Sequence, residues 1–257
     1  MRLGVALAFA AAPFALQLPA ADPPDPLAVS ALEKFLARPP LAHQYCATRR
    51  LEASGGGHRG WMEVQTSFAP ASGLAYEVTA EGGSGYIRGR VLRSLLDEEQ
   101  RLLALKTASA AISPANYRLR PGGLTAERLV VVGLQPLRKD RALIAGQMLL
   151  TSDDGQLVRV EGRLAKNPSF WVTRVDVVRS YRPVNGVFLP VSLQTTAQLR
   201  FLGSSKLGMT YSYSRVDERA VNDEATDFSR ATPPGRTCAA LSGNADPGGT
   251  DPTSRRR

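Results

Sequence analysis

The chain has 257 residues, of which 43% are hydrophobic and 21% are charged, a composition typical of a globular protein. It contains 32 Lys and Arg residues against 23 Asp and Glu, which gives a formal net charge of +9. Only two cysteines are present, so a disulfide-dense scaffold and a four-cysteine zinc site are both excluded. The length suits one large domain or two small ones.

The N-terminus predicts export. Residues 1–21 combine an early arginine, an apolar run over residues 3–18 and two small residues at the end, which is the pattern of a signal peptide. Pro13 and Gln17 interrupt the run, which is short for a membrane-spanning helix. The alternative is an uncleaved N-terminal anchor. The first cysteine is Cys46, far from the expected cleavage point, which argues against a lipid-modified N-terminus.

The remaining chain predicts a single domain followed by a tail. No linker-like segment interrupts residues 26–228, so we expect one domain there. Residues 229–257 are dominated by Pro, Gly, Ser, Thr and Asp, with too little apolar surface to offset the entropy of ordering. We therefore expect the tail to be largely disordered.

Two helices are predicted from apolar residues at helical spacing. The first covers residues 26–37 and ends before Pro39 and Pro40. The second covers residues 86–106, where a wide apolar stripe is opposed by a side rich in Arg, Asp and Glu. A Gly-rich connection, residues 82–85, precedes this helix.

The other segments alternate between polar and apolar residues with a period of two, which is typical of strands. Strands joined by tight turns are antiparallel, and about ten of them in one sheet will curl. We therefore predict an α+β fold: a strongly curved antiparallel sheet, or unclosed β-barrel, with a helical lid. The predicted strands cover residues 43–53, 60–68, 74–80, 116–120, 127–137, 141–152, 156–165, 171–182, 188–201 and 206–216.

No catalytic constellation can be assembled from the sequence. His43 and His58 lack further ligands at the spacing of a zinc site. Ser84 lies in a segment that departs from G-x-S-x-G because Tyr86 takes the fifth position. That segment is interpreted as a strand-to-helix connection, with anion binding at the helix start as the alternative. The carboxylates of residues 97–99 predict ion pairs on a solvent-exposed helix face. We therefore expect no enzyme, no metal and no cofactor.

The two cysteines are a candidate disulfide. In an exported protein two thiols tend to pair, and a bridge between Cys46 on the first strand and Cys238 in the tail would pin the tail to the sheet. An unpaired, buried Cys46 is the alternative.

The order of elements resembles that of the LolA/LolB-like superfamily of periplasmic lipoprotein-sorting carriers. Residues 164–189 are similar to a pattern of that family, Y-x-x-x-x-G-x-x-x-P, which here contains Tyr181, Gly186 and Pro190. The similarity covers residues 27–217. It implies an unclosed antiparallel barrel that holds acyl chains beneath helical lids, in the periplasm of a Gram-negative-type bacterium. The strand arginine that holds the lid in the carrier has no assigned position in this sequence.

These observations predict a soluble, monomeric periplasmic carrier with a hydrophobic cavity for lipid or acylated ligands, in which the helix over residues 86–106 is the lid. The alternative is a non-enzymatic sensor or scaffold that uses the same fold, with a filled core, to bind proteins. The candidate cavity and lid residues are Trp61, Tyr76, Val91, Leu95, Leu102, Leu129, Val131, Trp171, Val175 and Tyr181.

The positive charge indicates something other than nucleic-acid binding. Export removes the chain from nucleic acid, so the charge predicts attraction to an anionic membrane surface or to a partner protein. We expect the basic residues to be spread along outward strand positions rather than clustered. The positions that support this expectation are Arg159, Arg163, Arg174, Arg182 and Arg200.

Overall fold

The computed structural model describes residues 25–38, 43–104, 111–201, 203–217 and 219–221. The predicted signal peptide over residues 1–21, the predicted tail over residues 229–257 and Cys238 all lie outside these described residues.

Eleven strands follow a short N-terminal helix. Ten of them correspond to the ten predicted strands, and β11 is a two-residue addition. The elements are α1 (Pro26–Ala37), β1 (Tyr45–Gly55), β2 (His58–Ala69), β3 (Gly73–Gly83), β4 (Tyr117–Leu124), β5 (Leu129–Pro136), β6 (Ile144–Thr151), β7 (Leu157–Leu164), β8 (Val172–Val184), β9 (Val187–Leu199), β10 (Gly203–Val216) and β11 (Arg219–Ala220).

A second helix is inserted between β3 and β4, and we call it the covering helix. It starts as an α-helix over Gly85–Ile87, continues as a π-helix over Arg88–Arg93 and returns to an α-helix over Ser94–Ala104. Ser84 stands at its N-cap position, as the interpretation of the Gly-rich connection requires. The π-helical part was not predicted, because the apolar stripe sets only the average period of a helix.

Helix α1 begins and ends where the sequence predicts. The side chain of Asp25 accepts a hydrogen bond from the Leu27 amide at 2.9 Å, which caps the first turn. The side of the helix that faces the sheet buries Ala28, Ala31 and Leu32 against β4, β5 and β6. One face of the helix therefore belongs to the core, as its apolar spacing indicates.

The sheet is antiparallel and unclosed. Its strand order is β3-β2-β1-β10-β9-β8-β7-β6-β5-β4, with β11 added beside β10. All neighbours are sequential except β1 and β10, which join the first three strands to the rest of the sheet. The predicted fold class is confirmed. Strand β5, which is apolar on both faces, is paired on both sides, between β6 and the edge strand β4.

Both helices pack on the same face of the sheet, which we call the covered face. Two hydrophobic clusters lie on this face, one under each helix. A row of residues that pair directly from strand to strand crosses the face and includes buried members of both clusters. One position in the row is charged. In strand order from β2, the row is Met62, Leu51, Met209, Leu193, Arg179, Val160, Met148, Val132 and Pro121.

The strand register sorts charge between the two ends of the sheet. One end comprises residues 56–57, 84–93, 137–143, 165–171 and 200–201, with eight basic residues and one acidic residue, and Glu81 beside it pairs with Arg88 and Arg93. The connections at the opposite end, residues 94–104, 125–128, 152–156 and 217, contain seven acidic and two basic residues, and Lys34 and Arg38 bind the connection over residues 152–156. Arg159, Arg163, Arg174, Arg182 and Arg200 are exposed, as expected, and further basic residues lie in connections that are distant in sequence but meet at one end.

A candidate ligand site beneath the covering helix

The covering helix lies on the sheet through its apolar side. Ile87, Leu92 and Leu96 are buried in the cluster formed with β1, β2 and β10, and Val91 and Leu95 pack against that cluster. Removal of this apolar area from water contributes about 25 cal/mol per Å². The helix therefore covers the sheet mainly by a non-directional contact.

Arg49 lies beneath the helix on the covered face of β1. Its side chain is 0% exposed and donates from Nη1 to Glu99 Oε2 of the covering helix at 2.6 Å. Nη2 donates to the Tyr45 hydroxyl at 2.9 Å, and the guanidinium lies 4.7 Å from the Tyr211 ring centroid. A buried guanidinium is costly unless it is paired, so this contact ties the helix to one position on the sheet.

The environment of Arg49 changes the protonation equilibria around it. Burial lowers the pKa of Arg49, but the nearby Glu99 and the tyrosines outweigh this and raise the pKa overall. Burial raises the pKa of Tyr45 to about 12, so its hydroxyl is neutral at physiological pH. Burial also raises the pKa of Tyr211. The pair of Arg49 and Glu99 is thus surrounded by neutral phenols.

Arg179 brings a second guanidinium to the covered face, midway between the two clusters. It pairs across the sheet with Leu193 on one side and Val160 on the other. Its side chain bonds to Tyr181. The Nε atoms of Arg49 and Arg179 are both buried without a hydrogen-bond partner among the described residues. The region between the clusters is therefore polar in an otherwise apolar face.

Polar contacts at both ends of the helix add to this attachment. Glu81, at the end of β3, accepts hydrogen bonds from Arg88 and, at 2.6 Å, from Arg93. Tyr76 donates to Asp97, and burial together with this carboxylate raises the pKa of Tyr76 to about 12. These contacts are partly exposed and hold the rim of the helix.

Four of the ten predicted ligand-binding residues lie at this interface or on its helix. Tyr76, Val91 and Leu95 pack against the cluster under the covering helix. Leu102 is half-buried on the helix itself. Two more lie away from the covering helix: Val175 is buried, and Tyr181 packs against the cluster under α1.

The other four predicted residues lie elsewhere. Trp61 alternates with Met62 and faces outward, where the Arg50 guanidinium lies 4.8 Å from its ring. Leu129 and Val131 alternate with Val130 and Val132 of the core, so they occupy the outer face and are half-buried there. Trp171 precedes β8 and is 61% exposed. An apolar side chain in a strand does not by itself indicate which face is covered.

Sequence analysis missed Arg49, Glu99 and Arg179. The sequence nevertheless indicated where the two arginines lie. Arg49 is two residues from Leu51 in β1, and Arg179 is two residues from Val177 in β8, so each arginine is on the same face as a buried residue. Of the carboxylates at residues 97–99, only Glu98 forms the predicted exposed ion pair, with Arg101 at 2.5 Å. Arg49 is a buried strand arginine beneath the covering helix.

The cysteine and histidine predictions have mixed outcomes. Cys46 is buried and forms no disulfide within the described residues, while Cys238 lies outside them, so their pairing stays a prediction. His43 is paired with Asp217 near the start of β1. Within the described ranges, no group of three metal-binding side chains is present. No helix in the described part of the chain is long and apolar enough to cross a membrane.

This geometry defines a class of fold: an unclosed antiparallel sheet whose inner face is covered by an inserted helix. No protein-family model matches the chain, and no curated protein matches it. Among solved structures it is similar to a LolA superfamily protein from Nitrosomonas europaea, with 12% identity and a TM-score of 0.37 over 77% of this chain and 96% of the other.

Two further structures are similar. A DUF1329 family protein from Desulfovibrio piger has 10% identity and a TM-score of 0.32, over 78% of this chain and 92% of the other. MucB, solved in complex with MucA, has 14% identity and a TM-score of 0.21, over 72% and 93%. The resemblance to the LolA/LolB-like superfamily that the sequence indicates is therefore also found among solved structures. Similarities at these TM-scores carry no argument about function.

Proposed function

We propose that the protein is an exported, non-enzymatic carrier that binds a lipid or acylated ligand between the covering helix and the covered face of the sheet. The observation that carries this proposal is the kind of contact the helix makes. Its buried side is apolar, with Leu92 and Leu96 fully buried on the sheet. An acyl chain would bury the same surfaces, so it can replace the helix as their partner.

The structure of the helix supports its role as a movable cover. A π-helical segment interrupts the regular hydrogen-bond ladder over Arg88–Arg93, and such segments are frequent at functional sites. One buried ion pair, between Arg49 and Glu99, fixes its closed position. Opening would break this pair and expose the apolar stripe, which a ligand then covers.

Lipid retention and probe binding test this proposal. The purified full chain is expected to release a lipid or acylated molecule on extraction, and to bind a fluorescent fatty-acid probe. The Leu95→Asp variant should weaken probe binding by about tenfold or more, because a carboxylate would be placed in the apolar site. Ser94→Asp is the matched control on the exposed side of the same turn, and it should bind normally.

A second candidate function is favoured by the packing of the core. In this structure the apolar side chains of the covering helix themselves occupy the covered face, so the interior there is filled. A filled core suits a sensor or scaffold that binds another protein by its surface. A chain that retains no lipid, and whose probe binding is absent in both the parent and the Leu95→Asp variant, would favour this scaffold and contradict the carrier.

A further inference from the structure

Three aromatic side chains form an exposed cluster at the basic end of the sheet. Phe170 and Trp171 end the connection between β7 and β8, and Phe201 lies in the turn between β9 and β10. The ring centroids of Phe170 and Trp171 are 5.6 Å apart, and those of Trp171 and Phe201 are 6.2 Å apart. The residues are 69%, 61% and 81% exposed in chain order. A contiguous exposed apolar patch marks an interaction site.

Arg200 holds the two turns together. Its backbone amide donates to the Trp171 carbonyl at 3.0 Å, and its Nε donates to the Phe170 carbonyl at 2.9 Å. Its guanidinium also lies 4.3 Å from the Phe170 ring centroid. The aromatic side chains are therefore presented outward from a fixed backbone rather than folded onto the core.

Basic residues surround this cluster. The connection over residues 137–143 is joined to it through the Ala165 amide, which donates to the Leu143 carbonyl at 2.8 Å. A cleft of about 540 Å³ lies between these connections and is lined by Arg163 and Arg174 as well as by Leu137. The connections over residues 137–143, 165–171 and 200–201 contain one acidic residue, Asp140, and five basic residues: Arg138, Lys139, Arg141, Lys166 and Arg200.

We propose that this surface, the aromatic-basic rim, docks the protein on a bilayer that contains anionic lipids. Aromatic rings prefer the interface between headgroups and acyl chains, and clustered Lys and Arg residues are attracted to anionic headgroups. The rim combines both features at one end of the molecule, and the connections at the opposite end contain more acidic than basic residues, so the charge distribution orients the rim towards the lipid. This proposal does not depend on what the covered face binds.

Vesicle binding tests the docking surface. The full chain is expected to co-sediment with vesicles of phosphatidylethanolamine and phosphatidylglycerol, and far less with phosphatidylcholine vesicles. In a Trp61→Phe background Trp171 is the remaining tryptophan. Its emission should shift to the blue on binding and be quenched by lipids brominated near the headgroup. Trp171→Ala in the otherwise native chain should weaken co-sedimentation about tenfold, and Lys166→Glu about fivefold at low salt.

The matched control is Leu103→Ser, which removes an exposed apolar residue at the far end of the covering helix and should leave vesicle binding unchanged. Equal losses in Leu103→Ser and Trp171→Ala would overturn the proposal. So would binding to acidic peptides with no binding to anionic vesicles, because the rim would then recognise a protein. Unchanged Trp171 emission on sedimented vesicles would also overturn it.

Discussion

At the scale of single residues, Arg49 decides how the covering helix sits on the sheet. The free energy of burying its guanidinium is recovered only when Glu99 and Tyr45 are in place. An apolar residue at this position would pack equally well against a helix in several registers. The ion pair therefore specifies one closed arrangement, and it leaves the apolar contact to provide most of the stabilisation.

The Glu99→Gln variant tests the pair. Arg49 would stay buried with a weaker, neutral partner, so the free energy of unfolding should fall by about 1–3 kcal/mol. Glu98→Gln is the matched control, since its pair with Arg101 is exposed and should contribute less than about 0.5 kcal/mol. Urea unfolding measures both. Equal losses in the free energy of unfolding for the two variants would show that the burial of Arg49 does not strengthen its ion pair with Glu99.

At the scale of elements, the covering helix depends on how the chain leaves β3. Gly83 adopts a φ of +80° at that point, and a Cβ there would lie 2.4 Å from the Arg59 carbonyl oxygen. Only glycine combines this backbone conformation with so close an approach. The turn therefore sets the direction in which the helix starts across the sheet.

Opposite effects are expected for alanine at two glycines of this segment. Gly83→Ala should destabilise the protein by about 1–3 kcal/mol, since it adds backbone strain and a steric clash. Gly89→Ala should stabilise it by about 0.5–1 kcal/mol, because Gly89 is helical and has no atom within 4 Å of the added Cβ. Thermal or urea unfolding gives both values. A Gly83→Ala variant as stable as the parent would contradict the structure of this turn.

Local patterns predicted the elements well, because strand alternation and helical stripes are visible in short segments. The limits of strand β7 and of helix α1 each agree with the predicted limits to within one residue. The site was only partly predictable. Which face of a strand is covered depends on the helix above it, so the candidates include Trp61 and Val131, which lie on the outer face, and omit Arg49, which lies on the covered face.

At the scale of the whole molecule, buried phenols connect stability to alkaline pH. Burial raises the pKa of Tyr45 to about 12 and also raises the pKa values of Tyr211 and Tyr213. An unfolded tyrosine titrates near 10. Between these values the unfolded chain loses protons that the folded protein retains, so the stabilisation is complete below about pH 10 and is lost as the pH rises to about 12 and above.

The free energy of unfolding should therefore fall between about pH 10 and 12, by up to about 1.4 kcal/mol per pH unit for each such tyrosine. Tyr45→Phe should reduce this slope by nearly the contribution of one tyrosine. The variant also removes a hydrogen bond from Arg49 at neutral pH. Urea unfolding at several pH values measures the slope. Identical slopes in parent and variant would contradict the raised pKa of Tyr45.

The pairing of β1 with β10 has a consequence for how the chain folds. Cys46 and Ser214, which are joined across this pair, are 168 residues apart in sequence, whereas the other neighbouring strands are consecutive. Contacts between distant segments form slowly because a long loop must be closed first. The first three strands therefore cannot join the rest of the sheet until β10 is available. Until then β1 keeps an unpaired edge, whose free N–H and C=O groups can pair with another chain.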